Sequence, residues 1–196
     1  MQKCWIVGTV LLSAGVCHSR EANKPADVIV YVKGASVPSP VDYGARSQVT
    51  WMFDQIGVRI VWRDGVPGPA NRPDETLVIK VDFTTRVPPD EHPGALAYTM
   101  PFSEGAIAIT VMYDRLKFAV AARPHLEKAV LAHVLAHELG HALQGSNQHA
   151  PAGIMKAHWT AQDYDAMAKR PLSFTPMDFD LIHEGLRVHK ARAGVE

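Results

Sequence analysis

The segment His137-Glu138-Leu139-Gly140-His141 constrains this chain more than any other, because it specifies a helix and a chemistry at once. At about 100° per residue, positions four apart lie about 40° from each other around a helix and one turn along it. Imidazoles at 137 and 141 can therefore converge on a single ion. His-Glu-x-x-His on a helix is the pattern of two zinc ligands with a general base between them. Glu138 then lies beside the metal rather than on it, where a carboxylate takes a proton from a metal-activated water. The flanking residues predict the helix itself, over 124–143. Pro124 suits a first turn, Leu131, Leu135, Leu139 and Ala142 form an apolar stripe, and Gly145 supplies a stop. Val134, His137 and His141 run beside that stripe as the metal-facing row.

A catalytic zinc needs a third protein ligand and keeps a fourth position open. After Gly145 the chain can reverse in a left-handed cap and return a side chain from the next few positions toward the metal. Asn147 is a poor ligand, so His149 is the leading candidate. His158, further on, and His133, one turn before His137, are the alternatives.

The His-Glu-x-x-His pattern, the following glycine, the later histidine and then Gly153-Ile154-Met155 together resemble the metzincin clan of zinc metallopeptidases. Against the clan's extended signature, Gly145 comes one residue late and His149 two residues late, so the turn after the helix is longer here. The resemblance implies an α+β fold: a twisted mixed β-sheet with an active-site helix, a Met-turn and a C-terminal helix. It makes Met155 the Met-turn methionine, a hydrophobic floor under the metal; taken alone, Met155 reads as core filler. It also implies an antiparallel edge strand above the cleft that pairs with an extended peptide. Residues 95–100 are the candidate, against the plainer reading of an ordinary strand. Candidates to stabilise the transition state beyond the metal are His158 and Tyr164, after the Met-turn, and Tyr98 on the edge strand.

With 196 residues the chain suits one substantial domain, and twenty basic against twenty acidic residues leave no basic field for nucleic acid or an anionic membrane. The N-terminus, 1–19, reads as a secretory signal peptide: Lys3, an apolar run to Val16, then small and polar residues. A run of about a dozen residues is too short to span about 30 Å of hydrocarbon, so no integral membrane segment is expected once it is removed. Cleavage after Cys17 or Ser19 would send residues 27–196 out of the cytoplasm as one catalytic domain, secreted or periplasmic. Acylation of Cys17 to give a lipid anchor is the alternative. Both cysteines, Cys4 and Cys17, fall in this segment, so the mature domain is expected to have no disulfide and no propeptide thiol to close a zinc site.

Along the rest of the chain, 28–32 reads as a strand, and a helix follows with Asp42 as its candidate cap and Gly57 at its end. Val58, Ile60 and Trp62 alternate as in a strand, 76–83 is a further strand, and 95–100 and 106–112 are short extended runs. Loops are expected over 64–75 and 87–94. Thr160 opens a short helix, and Thr175-Pro176-Met177-Asp178 has the cap, first-turn proline and third-position acid of a helix start. The expected activity is that of a secreted zinc metalloendopeptidase acting on a peptide or protein. The competing expectations are a catalytically inactive zinc-binding interaction module and a zinc hydrolase of non-peptide amides; oligomeric state carries no sequence signal.

Overall fold

The computed structural model describes residues 26–34, 37–68, 77–85, 93–100 and 107–192. The expected signal segment with both cysteines, and most of the expected loops over 64–75 and 87–94, lie outside these residues. The fold is α+β: a five-stranded mixed sheet and five α-helices. In chain order these are β1 (Ala26–Lys33), α1 (Ser39–Asp54), β2 (Val58–Asp64), β3 (Leu77–Thr84), β4 (Ala97–Met100), β5 (Ile107–Met112), α2 (Tyr113–Ala119), α3 (Glu127–Gln144), α4 (Ala161–Lys169) and α5 (Pro176–Arg192). Among the described residues, no helix is long and apolar enough to cross a membrane.

The strands lie in the order β2-β1-β3-β5-β4. β1, β2, β3 and β5 are parallel, and β4 runs antiparallel to β5 at the edge. β1, flanked on both sides, is a near-continuous apolar run with Val28, Val30, Tyr31 and Val32 all buried, as expected of an inner parallel strand. β4 forms at the position expected for an edge strand.

Its free side can be assigned from one hydrogen bond. Met112 N–H donates to Leu96 O, so residues 96 and 112 are a hydrogen-bonded pair in the antiparallel ladder. Pairs then alternate, and Ala97 and Thr99, opposite Val111 and Ile109, direct their backbone N–H and C=O groups away from β5. Among the described residues no strand takes up those groups.

α3 is the centre of the molecule. It packs against α1, α2, α4, α5, β4 and β5. From Ala129 to Leu143 every residue is buried except His137, which is half-buried. A helix covered all round needs apolar residues on every side, which is why its sequence extends well beyond a single stripe. The helix is preceded by a 3-10 turn over Pro124–Leu126, so Pro124 starts that turn rather than α3. It ends as expected, with Gly145 in the left-handed region at φ 63°.

One expectation is corrected. Asp42 does not cap α1: the helix starts earlier, at Ser39, because Pro40 is preorganised for the first turn. Asp42 instead accepts two hydrogen bonds from the guanidinium of Arg46, which also reaches Asp64, the last residue of β2. Helix α2 has no counterpart in the sequence pattern: its seven residues carry only two buried side chains, Tyr113 and Leu116, too few to write a helical period. By contrast, the expected Thr175/Asp178 start of α5 is present, with Asp178 N–H donating to Thr175 Oγ1 and Thr175 N–H donating to Asp178 Oδ2.

α5 crosses the C-terminal end of α3 at Gly185. A Cβ there would lie 1.9 Å from Leu143 O and 3.0 Å from Gln144 Cα. Because the obstacle is backbone, the two helices must separate to admit even a methyl group. Overpacking costs about 1–3 kcal/mol, against about 1 kcal/mol gained from the helix propensity of alanine. Gly185→Ala should therefore lower stability by about 1 kcal/mol in urea unfolding, and an unchanged midpoint would contradict this packing.

Candidate metal centre

α3 presents His137 and His141 one turn apart, and their Nε2 atoms lie 3.0 Å from each other. Each ring is fixed by its other nitrogen. His137 Nδ1 is 2.9 Å from Ile154 O, and His141 Nδ1 is 3.0 Å from Ser146 O. A carbonyl oxygen only accepts, so both Nδ1 atoms carry the proton and both Nε2 atoms are left with lone pairs. Two such lone pairs repel at this distance unless a cation lies between them. A tetrahedral ion with bonds of about 2.1 Å would hold them about 3.4 Å apart, a few tenths of an ångström wider than the observed spacing. Carbonyl partners on Nδ1 are the usual way a metal-ligating imidazole is oriented.

His149 completes the group. The left-handed Gly145 reverses the chain, and Ala150 N–H donates to Met155 O at 2.8 Å, closing the intervening loop on itself. The His149 ring centroid comes to 5.3 Å from that of His137 and 4.8 Å from that of His141. One ligand atom from each of His137, His141 and His149 lies within 4.8 Å of the others, close enough to bind one metal ion. His149 is exposed, His137 half-buried and His141 buried, so the group opens to solvent on the His149 side.

Burial pushes the pKa of His141 down to about 4, and the neighbouring His137 and His149 add to the effect. His137 is lowered too, first by burial. At neutral pH both rings are therefore neutral, the state a metal requires. The adjacent Glu138 is buried, and this pushes its carboxyl up to about 7. A hydrogen bond from Thr99 Oγ1 on β4 to Glu138 Oε2, 2.5 Å long, works in the opposite direction. A carboxyl whose pKa lies near neutrality, beside three converging imidazoles, is suited to accept and return a proton.

The alternatives separate clearly. His133 is no metal ligand: its Nδ1 donates to Ala129 O at 2.6 Å, and its Nε2 accepts from Leu172 N–H at 2.9 Å. Both nitrogens are committed, and the ring ties the segment after α4 to α3. His158 is exposed and is not in the three-histidine group. Tyr164, on α4, packs against the core with the Arg123 guanidinium 5.7 Å above its ring. Tyr98 is half-buried on β4.

Met155 is fully buried against Gly140, on the helix turn between His137 and His141; a Cβ at 140 would come within 2.3 Å of the Met155 sulfur. Gly153, at φ 77°, lets the chain turn close to Ser173 O, which accepts from Ile154 N–H. That bond sets the Ile154 carbonyl that orients His137. Trp159 closes the same corner, donating from Nε1 to Gly153 O and placing its ring edge-on to His133 and His137. Nothing local in the sequence marks Thr99, Ser146 or Trp159. Gly140 carried a signal, since a glycine inside an apolar helix marks a close approach.

His133 makes an acid-stability prediction. Burial pushes its pKa down to about 4 from 6.5. The unfolded chain takes up this proton as pH falls below 6.5 and the folded protein does not until about 4, so stability is lost across that window, by about 3 kcal/mol. His133→Gln keeps an acceptor for Leu172 N–H but does not titrate. In metal-free protein its loss of stability between pH 7 and 4 should be smaller than that of the unsubstituted chain by about this amount; equal losses would show that His133 does not carry the effect.

Comparison with protein-family models and with curated proteins finds no match to this chain.

Proposed function

We propose that the protein is a secreted or periplasmic zinc metallopeptidase of metzincin-like fold, hydrolysing peptide bonds with Glu138 as general base. The observation that carries this reading is the convergence of the His137 and His141 Nε2 atoms beside the buried, non-ligating carboxylate of Glu138. Three imidazoles and no thiolate or carboxylate in the group favour zinc, which takes three protein ligands in catalytic sites and retains a fourth position. His137, His141 and His149 would hold it. Zinc supplies a Lewis acid that polarises the scissile carbonyl and acidifies water.

The protein's own part follows from its geometry. The Ile154 and Ser146 carbonyls keep the His137 and His141 rings in the ligating tautomer. Met155 is the Met-turn residue, packed against Gly140 so that the ligand-bearing turn of α3 has a fixed apolar base. The outward backbone groups of Ala97 and Thr99 offer an extended peptide one added strand. Glu138 accepts the proton of the attacking water and returns it to the leaving amine. His158 and Tyr164 are the side chains we assign as candidates to steady the developing oxyanion.

Digestion of a broad peptide library by the purified domain, with and without a chelator, tests this reading. Cleavage lost on chelation and restored by zinc is expected. Bound zinc without any cleavage would instead indicate an interaction module, and cleavage confined to non-peptide amides a different hydrolase.

A further inference from the structure

We propose that Thr99 is a positioning residue for the general base, linking the strand that receives substrate to the carboxylate that acts on it; this rests on the peptidase reading. Two parts of one residue face different partners. Its backbone N–H and C=O point to the open side of β4, since Thr99 opposite Ile109 is not a hydrogen-bonded pair in the ladder. Its hydroxyl reaches Glu138 on α3, 39 residues away in sequence, with Oγ1 2.5 Å from Oε2 and 3.1 Å from the Glu138 carbonyl. A hydroxyl has one proton to give, and the shorter contact to the carboxylate takes it.

This bond fixes which carboxylate oxygen is free. With Oε2 engaged by Thr99, Oε1 is left to accept the proton from water. The bond also stops the carboxylate from turning toward another donor in a buried site, where an unpaired carboxylate is costly. Because the same residue presents backbone to the peptide, the distance between a docked strand and the base is set across one α-carbon rather than through a chain of contacts. A misplacement of about 1 Å in such a constellation can cost about 100-fold in rate.

The side chain, not the strand edge, is the positioning element, so its loss should fall on turnover and spare peptide binding. Thr99→Val keeps the shape and removes the donor; Thr99→Ser keeps the donor and removes a methyl group. Steady-state kinetics of both zinc-loaded variants on one peptide should show kcat reduced about 10–100-fold in Thr99→Val with KM within about two-fold of the unsubstituted chain. Thr99→Ser should stay within about three-fold in kcat, and both should hold zinc like the parent, as residue 99 is not part of the three-histidine group. Equal kcat in Thr99→Val and the parent, or equal losses in Val and Ser, would overturn the positioning role while leaving the peptidase reading intact. A parent protein that binds zinc and cleaves no peptide would overturn that reading, and the positioning role with it.

Discussion

Glu138→Gln should leave zinc bound and lower kcat/KM for peptide hydrolysis about 10²–10⁴-fold, which is about 3–5 kcal/mol of transition-state stabilisation. Glutamine has the same shape and can still accept from the Thr99 hydroxyl, so the surroundings need not move. What it lacks is a lone pair basic enough to take a proton. The substitution carries a second signature of opposite sign. Burial raises the Glu138 pKa from 4.5 to about 7, so the folded, metal-free protein loses stability as pH rises through that interval, while the unfolded chain ionises freely. Removing the titration should make metal-free Glu138→Gln more stable than the parent at pH 8, by up to about 3 kcal/mol. Lower activity with higher stability is the mark of a strained catalytic group, whereas a merely structural Glu138 would lose both. A variant with undiminished hydrolysis would remove Glu138 from the mechanism.

His149→Ala should weaken zinc binding at least about 100-fold, beyond the about 10–100-fold that loss of a supporting residue costs. His149 is the exposed member of the group and lies on a loop closed by the Ala150–Met155 hydrogen bond. Its removal leaves His137 and His141 in place, because their carbonyl partners, Ile154 and Ser146, do not depend on the residue 149 ring. The fold should therefore survive and the deficit appear in metal competition against a chelator of known affinity. Full affinity in this variant would move the third ligand to His158, since His133 has both nitrogens committed.

The parts of this arrangement that were legible in the sequence are those written by local rules. Four-residue spacing placed His137 and His141 on one face, Gly145 marked the helix end, and Thr175-Pro176-Met177-Asp178 announced α5. The position of β4 at an edge came from the family resemblance, and the sheet has it there. What escaped was set by tertiary contact. Asp42 looked like a cap because a short acid before a helix usually is one; the pull of Arg46, a turn further on, was invisible until the side chains were placed. His133 kept a claim on the metal because its spacing to His137 repeats that of His137 to His141; only the Leu172 N–H, 39 positions away, shows why its Nε2 is engaged elsewhere. Thr99 lay within a segment read for its backbone, and nothing local ties its hydroxyl to Glu138.

X-ray absorption of the zinc-loaded domain at the metal edge tests the central claim most directly. Three imidazole nitrogens at about 2.0–2.1 Å, with the fourth position not filled by any protein side chain, is the predicted result. Four protein ligands closing the ion, or a purified domain that retains no zinc, would contradict it.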